Sequence, residues 1–168
     1  MGTAMIRRAT PVDVPLLLRC IRELARYEKL EHELELDAAR LHAALFGASA
    51  ATFAFVAEEQ DGDGGSQPVG FALGFATFST FKTRSCLHLE DLFVLAEHRG
   101  KGHGLSLLRA VAGEAVRLCC ARLQWNVLDW NVSAIGFYEA QGARLLTDWR
   151  ICRVDGDALA TMAAAADL

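Results

Sequence analysis

The run Arg99-Gly100-Lys101-Gly102-His103-Gly104 is the feature that most limits how this chain can fold. An apolar stretch, residues 87–95, leads into it. A helical repeat of apolar residues, Leu105, Leu108, Val111, Ala112, Ala115, Val116 and Cys119, leads out of it. The chain must therefore pass from a strand through a tight turn into an amphipathic helix. Glycine at alternate positions lets successive backbone N–H groups turn inward, and the helix start adds partial positive charge, so such a turn can hold a phosphate group. An ordinary glycine-rich turn has the same composition. The order is not that of a P-loop, GxxxxGK[ST], and Leu105 stands where a GxGxxG fingerprint counted from Gly100 requires a small residue.

The rest of the chain alternates between the same two periodicities. Thr10 suits a helix cap, Pro11 the first helical position and Asp13 the third residue after the cap. Val14, Leu17, Leu18, Ile21, Leu24 and Ala25 then recur at helical spacing, which predicts a helix to about Leu30 and a shorter one over residues 37–46. Residues 52–58, 69–79 and 86–95 read as three consecutive strands. The glycines and proline of residues 61–68 mark a hairpin loop between the first two. After the glycine run the expected order is helix, strand (122–128), helix (131–141) and strand (143–154), followed by an alanine-rich tail, 158–166, of good helix propensity. A helical start followed by βββαβαβ implies a mixed α/β sheet in one globular domain over residues 1–168.

Composition narrows the partners. The 168 residues carry a net charge of -4, so the basic face expected of a nucleic-acid binder is missing. No apolar run approaches the roughly 20 residues that cross a bilayer, and no apolar segment follows the charged residues 1–8, so a cytoplasmic protein with no membrane partner is expected. The five cysteines, Cys20, Cys86, Cys119, Cys120 and Cys152, show no CxxC or paired Cys/His spacing. Buried thiols, with neither a disulfide framework nor a metal site, are the expectation.

Glu90 and Asp91 interrupt the apolar run before the glycine turn. Successive strand residues point to opposite faces, so the two carboxylates do not share one solvent face and at least one is partly buried. A buried carboxylate is either salt-bridged or a functional group with a shifted pKa, and the residues alone leave both readings open. Further on, Asn131 or Ser133 can cap the helix that carries Phe137 and Tyr138, and Gly142 can stop it. Taken alone, Tyr138 reads as a core tyrosine.

Together these segments resemble the spermidine/spermine N-acetyltransferase family of the GNAT superfamily, including its branch acting on thialysine and similar small amines. The resemblance runs through Ile21-Arg22-Glu23-Leu24-Ala25-Arg26-Tyr27-Glu28, Leu89-Glu90-Asp91-Leu92-Phe93-Val94, the glycine run, Val127-Leu128-Asp129-Trp130-Asn131, Phe137-Tyr138 and Gly142-Ala143. It implies the GNAT fold, a mixed, mostly antiparallel central sheet flanked by helices. It implies transfer of an acetyl group from acetyl-CoA, as co-substrate and without a metal, to a primary amine by direct attack in a ternary complex. Arg99, Gly100, Lys101, Gly102, His103, Gly104 and Leu105 would then receive the coenzyme pyrophosphate. The backbone of Leu92, Phe93 and Val94 would bind its arm and polarise the thioester, and Asn131 and Ser133 would lie near it.

An alkylamine arrives protonated at neutral pH and cannot attack until that proton is taken. By the same resemblance Glu90 is the base and Tyr138 the acid that protonates the departing thiolate, while Tyr27, Glu28, Glu90 and Asp91 bind the amine. Between Tyr27 and Asp37 five acids face one lysine, as large a deficit as that of the whole chain. Most of these acids read as a solvated turn. Where polyamine enzymes place an acid and a tryptophan, this chain has Ser79-Thr80-Phe81-Lys82-Thr83-Arg84. The exchange removes an anion and adds two cations. That favours a small diamine or an amino-acid-like amine, whose carboxylate Lys82 or Arg84 can meet, over a long polycation. A protein or peptide amine as acceptor, and a coenzyme-A-binding module without turnover, are the alternatives. The resemblance also implies a homodimer.

Overall fold

The computed structural model describes residues 5–60 and 64–164 and divides into two compact units, Met1–Asn126 and Val127–Leu168. The first unit is built on a five-stranded sheet of order β1-β2-β3-β4-β5, formed by Met5–Arg8, Thr52–Gln60, Ser66–Ser79, Arg84–Val94 and Leu123–Gln124. The first four strands are antiparallel neighbours, and β5 runs parallel to β4. Its helices are α1 (Val14–Glu28), α2 (Ala38–Phe46) and α3 (His103–Arg117). This is the GNAT fold, with its mixed, mostly antiparallel sheet flanked by helices.

Both faces of the sheet are covered, which is why the three long strands read as nearly continuous apolar runs. On one face Leu17 and Cys20 of α1 and Leu45 of α2 pack with Ala54, Val56, Phe71, Leu73, Phe93 and Leu95. Alternate residues such as Ala57 and Ala72 point the other way and are equally buried. There α3 crosses the strands and buries Leu107, Leu108, Val111 and Ala115.

One ion cluster ties the first strand to this frame. The Arg7 guanidinium of β1 donates to both carboxylate oxygens of Asp13 (2.7 and 2.8 Å) and to Glu58 Oε1 (2.7 Å). Asp13 also accepts from the Thr10 N–H and hydroxyl, and so fixes the 3-10 turn at Pro11–Asp13 that opens α1. These donors hold the Asp13 carboxyl down at about 2. Its stabilisation is therefore complete above the ordinary carboxylate pKa and is lost as pH falls toward 2. Asp13→Asn is expected to cost about 2 kcal/mol at pH 7, below the value for a fully enclosed pair because Arg7 is partly solvated. Urea unfolding should show the difference shrinking by pH 2.

In the second unit α4 (Val132–Glu139) is capped by Asn131, whose side chain accepts from the Ala134 N–H at 3.2 Å. Gly142 at φ 86° ends the turn that follows. The tail helix, α5, spans Gly156–Ala164, and residues 165 and 166 of the expected tail lie outside the described residues.

Three expectations need correction. The strand expected over 122–128 is only two residues long, because the ladder with β4 stops at Gln124. The strand expected over 143–154 has no ladder among the described residues, and its apolar side chains Leu146, Trp149 and Ile151 are exposed. Apolar alternation marks a segment able to pair, and without a neighbouring strand it makes none. Strand β1 was not anticipated, since four residues with two arginines carry no alternation signal. The expected loop over 61–68 lies partly outside the described residues and closes earlier, at Ser66.

Candidate active site

Pairing between β3 and β4 runs Leu73 to Asp91 and then Gly74 to Leu89, so Glu90 is a surplus residue, a β-bulge. The bulge suspends the alternation that sent Glu90 and Asp91 to opposite faces. Paired residues share a face, so Asp91 lies with Leu73 and Phe93 on the side covered by α1. Glu90 is pushed out and exposed.

Helix α1 ends directly above this point. Lys29 adopts the left-handed conformation (φ 62°) and its N–H and that of Leu30 close the last turn, which stops the helix at Glu28 rather than at Leu30. Tyr27 and Glu28 thus come to the end of α1, with the Glu28 carboxyl within electrostatic reach of Asp91. Burial pushes the Asp91 carboxyl up to about 7, helped by the neighbouring charges of Glu90 and Glu28, and burial raises Glu28 as well. The part-buried, shifted carboxylate of the pair is therefore Asp91.

The sign for stability is the reverse of that for Asp13. The folded chain holds the Asp91 proton more tightly than the unfolded one, so this group costs stability as pH rises from about 4 through 7. Asp91→Asn is expected to raise unfolding stability by about 4 kcal/mol at pH 8 and to leave it nearly unchanged near pH 4. Urea midpoints at the two pH values check this.

Beyond the bulge, β4 has one edge without a ladder among the described residues. Strand β5 pairs there with Leu87 and His88, so among these residues the backbone of Leu92, Phe93 and Val94 has a ladder on the β3 side alone. The turn follows, with Gly100 at φ 75° and Gly102 at φ 90°. A β-carbon is unfavourable at such angles, and Gly102 is the residue that caps α3. The first bond within α3 joins the Ser106 N–H to the Gly102 carbonyl at 3.0 Å, so the N–H groups of His103, Gly104 and Leu105 precede the helical ladder. These are anion-binding donors at a helix start.

The side chains of the turn are held by the fold. Arg99 Nε donates to the Val94 carbonyl at 2.9 Å, and its guanidinium lies between the rings of Tyr27 (5.0 Å) and Phe93 (5.1 Å). It therefore links the turn to the end of α1, beside a cleft of about 480 Å³ lined by Arg19, Arg26, Leu95 and Glu97 among others. Lys101 Nζ bonds Glu59 of β2 at 2.7 Å, and His98 bonds the same carboxylate. His103 is buried with its Nε2 3.9 Å from Glu59, and neither ring nitrogen has a hydrogen-bond partner among the described residues. Burial lowers its pKa and keeps it neutral. Glu59 and His98 were not singled out from the sequence, since nothing in two separate segments signals that they meet.

The first unit therefore brings together Tyr27, Glu28, Glu90, Asp91, the Leu92–Val94 edge and the glycine turn. Asn131, Ser133 and Tyr138 sit in the second unit: Asn131 as the α4 cap, Ser133 exposed on its first turn, and Tyr138 half-buried with its ring 5.2 Å from that of Phe137. Arg84 donates to the Cys119 carbonyl at 2.7 Å, and Lys82 is exposed on the β3–β4 turn.

The profile described as Acetyltransferase (GNAT) family matches residues 17–143. Thialysine N-epsilon-acetyltransferase of Bos taurus is 38% identical, with 97% of this chain and 99% of that protein covered. The chain belongs to the GNAT acetyltransferase family. L-ornithine N5-acetyltransferase of Arabidopsis thaliana, also similar to this GNAT chain, is 32% identical over 92% of this chain and 85% of that protein. Among solved structures, an integron cassette protein from the mobile metagenome of V. cholerae matches at a TM-score of 0.77 and 27% identity, covering 98% of this chain and all of that one. The protein is thus a GNAT acetyltransferase, similar in sequence to thialysine N-epsilon-acetyltransferase.

Proposed function

We propose that this acetyltransferase moves the acetyl group of acetyl-CoA to the primary amine of a small, amino-acid-like molecule of the thialysine or ornithine type, by direct attack in a ternary complex. The observation that carries this reading is the convergence of Glu28, Glu90 and Asp91 at one bulge, next to a strand edge that has no ladder among the described residues and a glycine turn that opens a helix. Three carboxyls at one point suit a cationic acceptor. The named relatives acetylate amines on amino-acid side chains.

In this reading the N–H groups of the turn hold the pyrophosphate, and the outer edge of Leu92–Val94 holds the pantetheine arm. Glu90 takes a proton from the ammonium group, directly or through water, and the freed lone pair attacks the thioester carbonyl. A backbone N–H of that edge stabilises the oxyanion. The C–S bond then breaks, and Tyr138 gives its proton to the leaving thiolate. Of the two cations at the β3–β4 turn, Lys82 is the better placed to meet a substrate carboxylate, since Arg84 is occupied by Cys119.

Two measurements test this. Calorimetry should detect acetyl-CoA binding, and thiol release should be faster with thialysine, ornithine or lysine than with spermidine. No heat of binding, or no thiol release with any amine, would overturn the reading.

A further inference from the structure

A histidine lies beside the bulge, and nothing in the mechanism above uses it. His88 sits two residues before Glu90 and pairs with Phe75 of β3 and Gln124 of β5. Its ring stacks at 5.2 Å on Phe75, with only 14% of the side chain exposed, and its Nε2 lies 3.6 Å from Glu90 Oε2. That separation is slightly beyond a hydrogen bond, and Glu90, 55% exposed, is the partner free to close it. A largely buried imidazole held against an aromatic ring thus faces the carboxylate that stands proud of the sheet.

We propose that His88 acts through Glu90 as a positioning residue and proton relay. Its imidazole orients the carboxylate toward the acceptor amine and receives the proton that Glu90 has taken. This rests on the reading of Glu90 as the base. In the relay an ammonium N–H bond breaks as a carboxyl O–H forms; that O–H breaks as an N–H forms at Nε2, and the imidazolium then gives a proton to water. The amine keeps its electron pair for attack, and no oxidant or further reactant is required.

On β4 itself lie Glu90 and Asp91, and α1 contributes Glu28, within electrostatic reach of Asp91. From β3 the neighbour is the uncharged Phe75. From β5 it is Gln124, whose side-chain oxygen accepts from Arg122 at 2.8 Å, which keeps that cation on the β5 side.

The test compares His88→Ala, His88→Phe and Glu90→Gln with the best amine of the screen. Both His88 variants should lower kcat about tenfold, with KM for acetyl-CoA and amine within about twofold, since a relay contributes to turnover rather than binding. His88→Phe keeps the stack on Phe75 and so reports the missing nitrogen rather than missing packing. Imidazole added to the buffer should restore part of the rate to His88→Ala and none to Glu90→Gln or His88→Phe. Wild-type kcat in either His88 variant, or a loss in His88→Ala that imidazole does not touch, overturns the relay while the base assignment stands on an impaired Glu90→Gln. A fully active Glu90→Gln removes both.

Discussion

Tyr138→Phe should lower kcat by about 100-fold or more while the acetyl-CoA dissociation constant moves by less than about twofold. The change deletes one oxygen from a half-buried ring packed beside Phe137, so α4 keeps its shape and its Asn131 cap. In the proposed mechanism what is lost is the proton donor for the departing thiolate, and that matters only when the C–S bond breaks. Steady-state kinetics with the best amine, alongside calorimetry with acetyl-CoA, separate the two quantities. A variant that turns over at the wild-type rate removes the phenol from the reaction.

Glu90→Gln should reduce kcat/KM by about 100-fold at neutral pH for an ordinary alkylamine. The amide matches the carboxylate in shape, and Glu90 is the exposed surplus residue of the bulge, so folding is untouched. The acid limb of the pH–rate profile should vanish with it. The substitution also removes a like charge that helps hold the Asp91 carboxyl near 7, so Asp91 should titrate lower in the variant. A limb that persists and moves to lower pH would assign the base to Asp91. Asp91→Asn, assayed in parallel, would then be the inactive protein.

How much of this was readable from sequence depends on whether the signal was local. The glycine turn could be located, because alternate glycines between an apolar run and a helical repeat have few other uses, and Gly100 and Gly102 do take the left-handed angles such a turn needs. The Asn131 cap and the end of α1 near Tyr27 were similarly local. Two adjacent acids within β4 showed that something interrupted the strand and that at least one of them had to be partly buried, as Asp91 is, but not the bulge itself, because a bulge is defined by the partner strand. The cluster of Glu59, His98, Lys101 and His103 joins residues that are far apart in the chain. No spacing rule reaches it. The apolar residues near Trp149 show the opposite failure, a strand pattern with no strand to pair with.

The surplus residue in β4 works as a spacer between two stretches of ladder that are out of phase with each other. Replacing Glu90 by any residue keeps that spacer. Removing it would let Leu89 and Asp91 follow one another opposite Gly74 and Leu73 in one unbroken ladder, with Phe93 still across from Phe71. The pairing of β3 with β4 would lose nothing but its irregularity, and with it the carboxylate that the irregularity lifts into solvent.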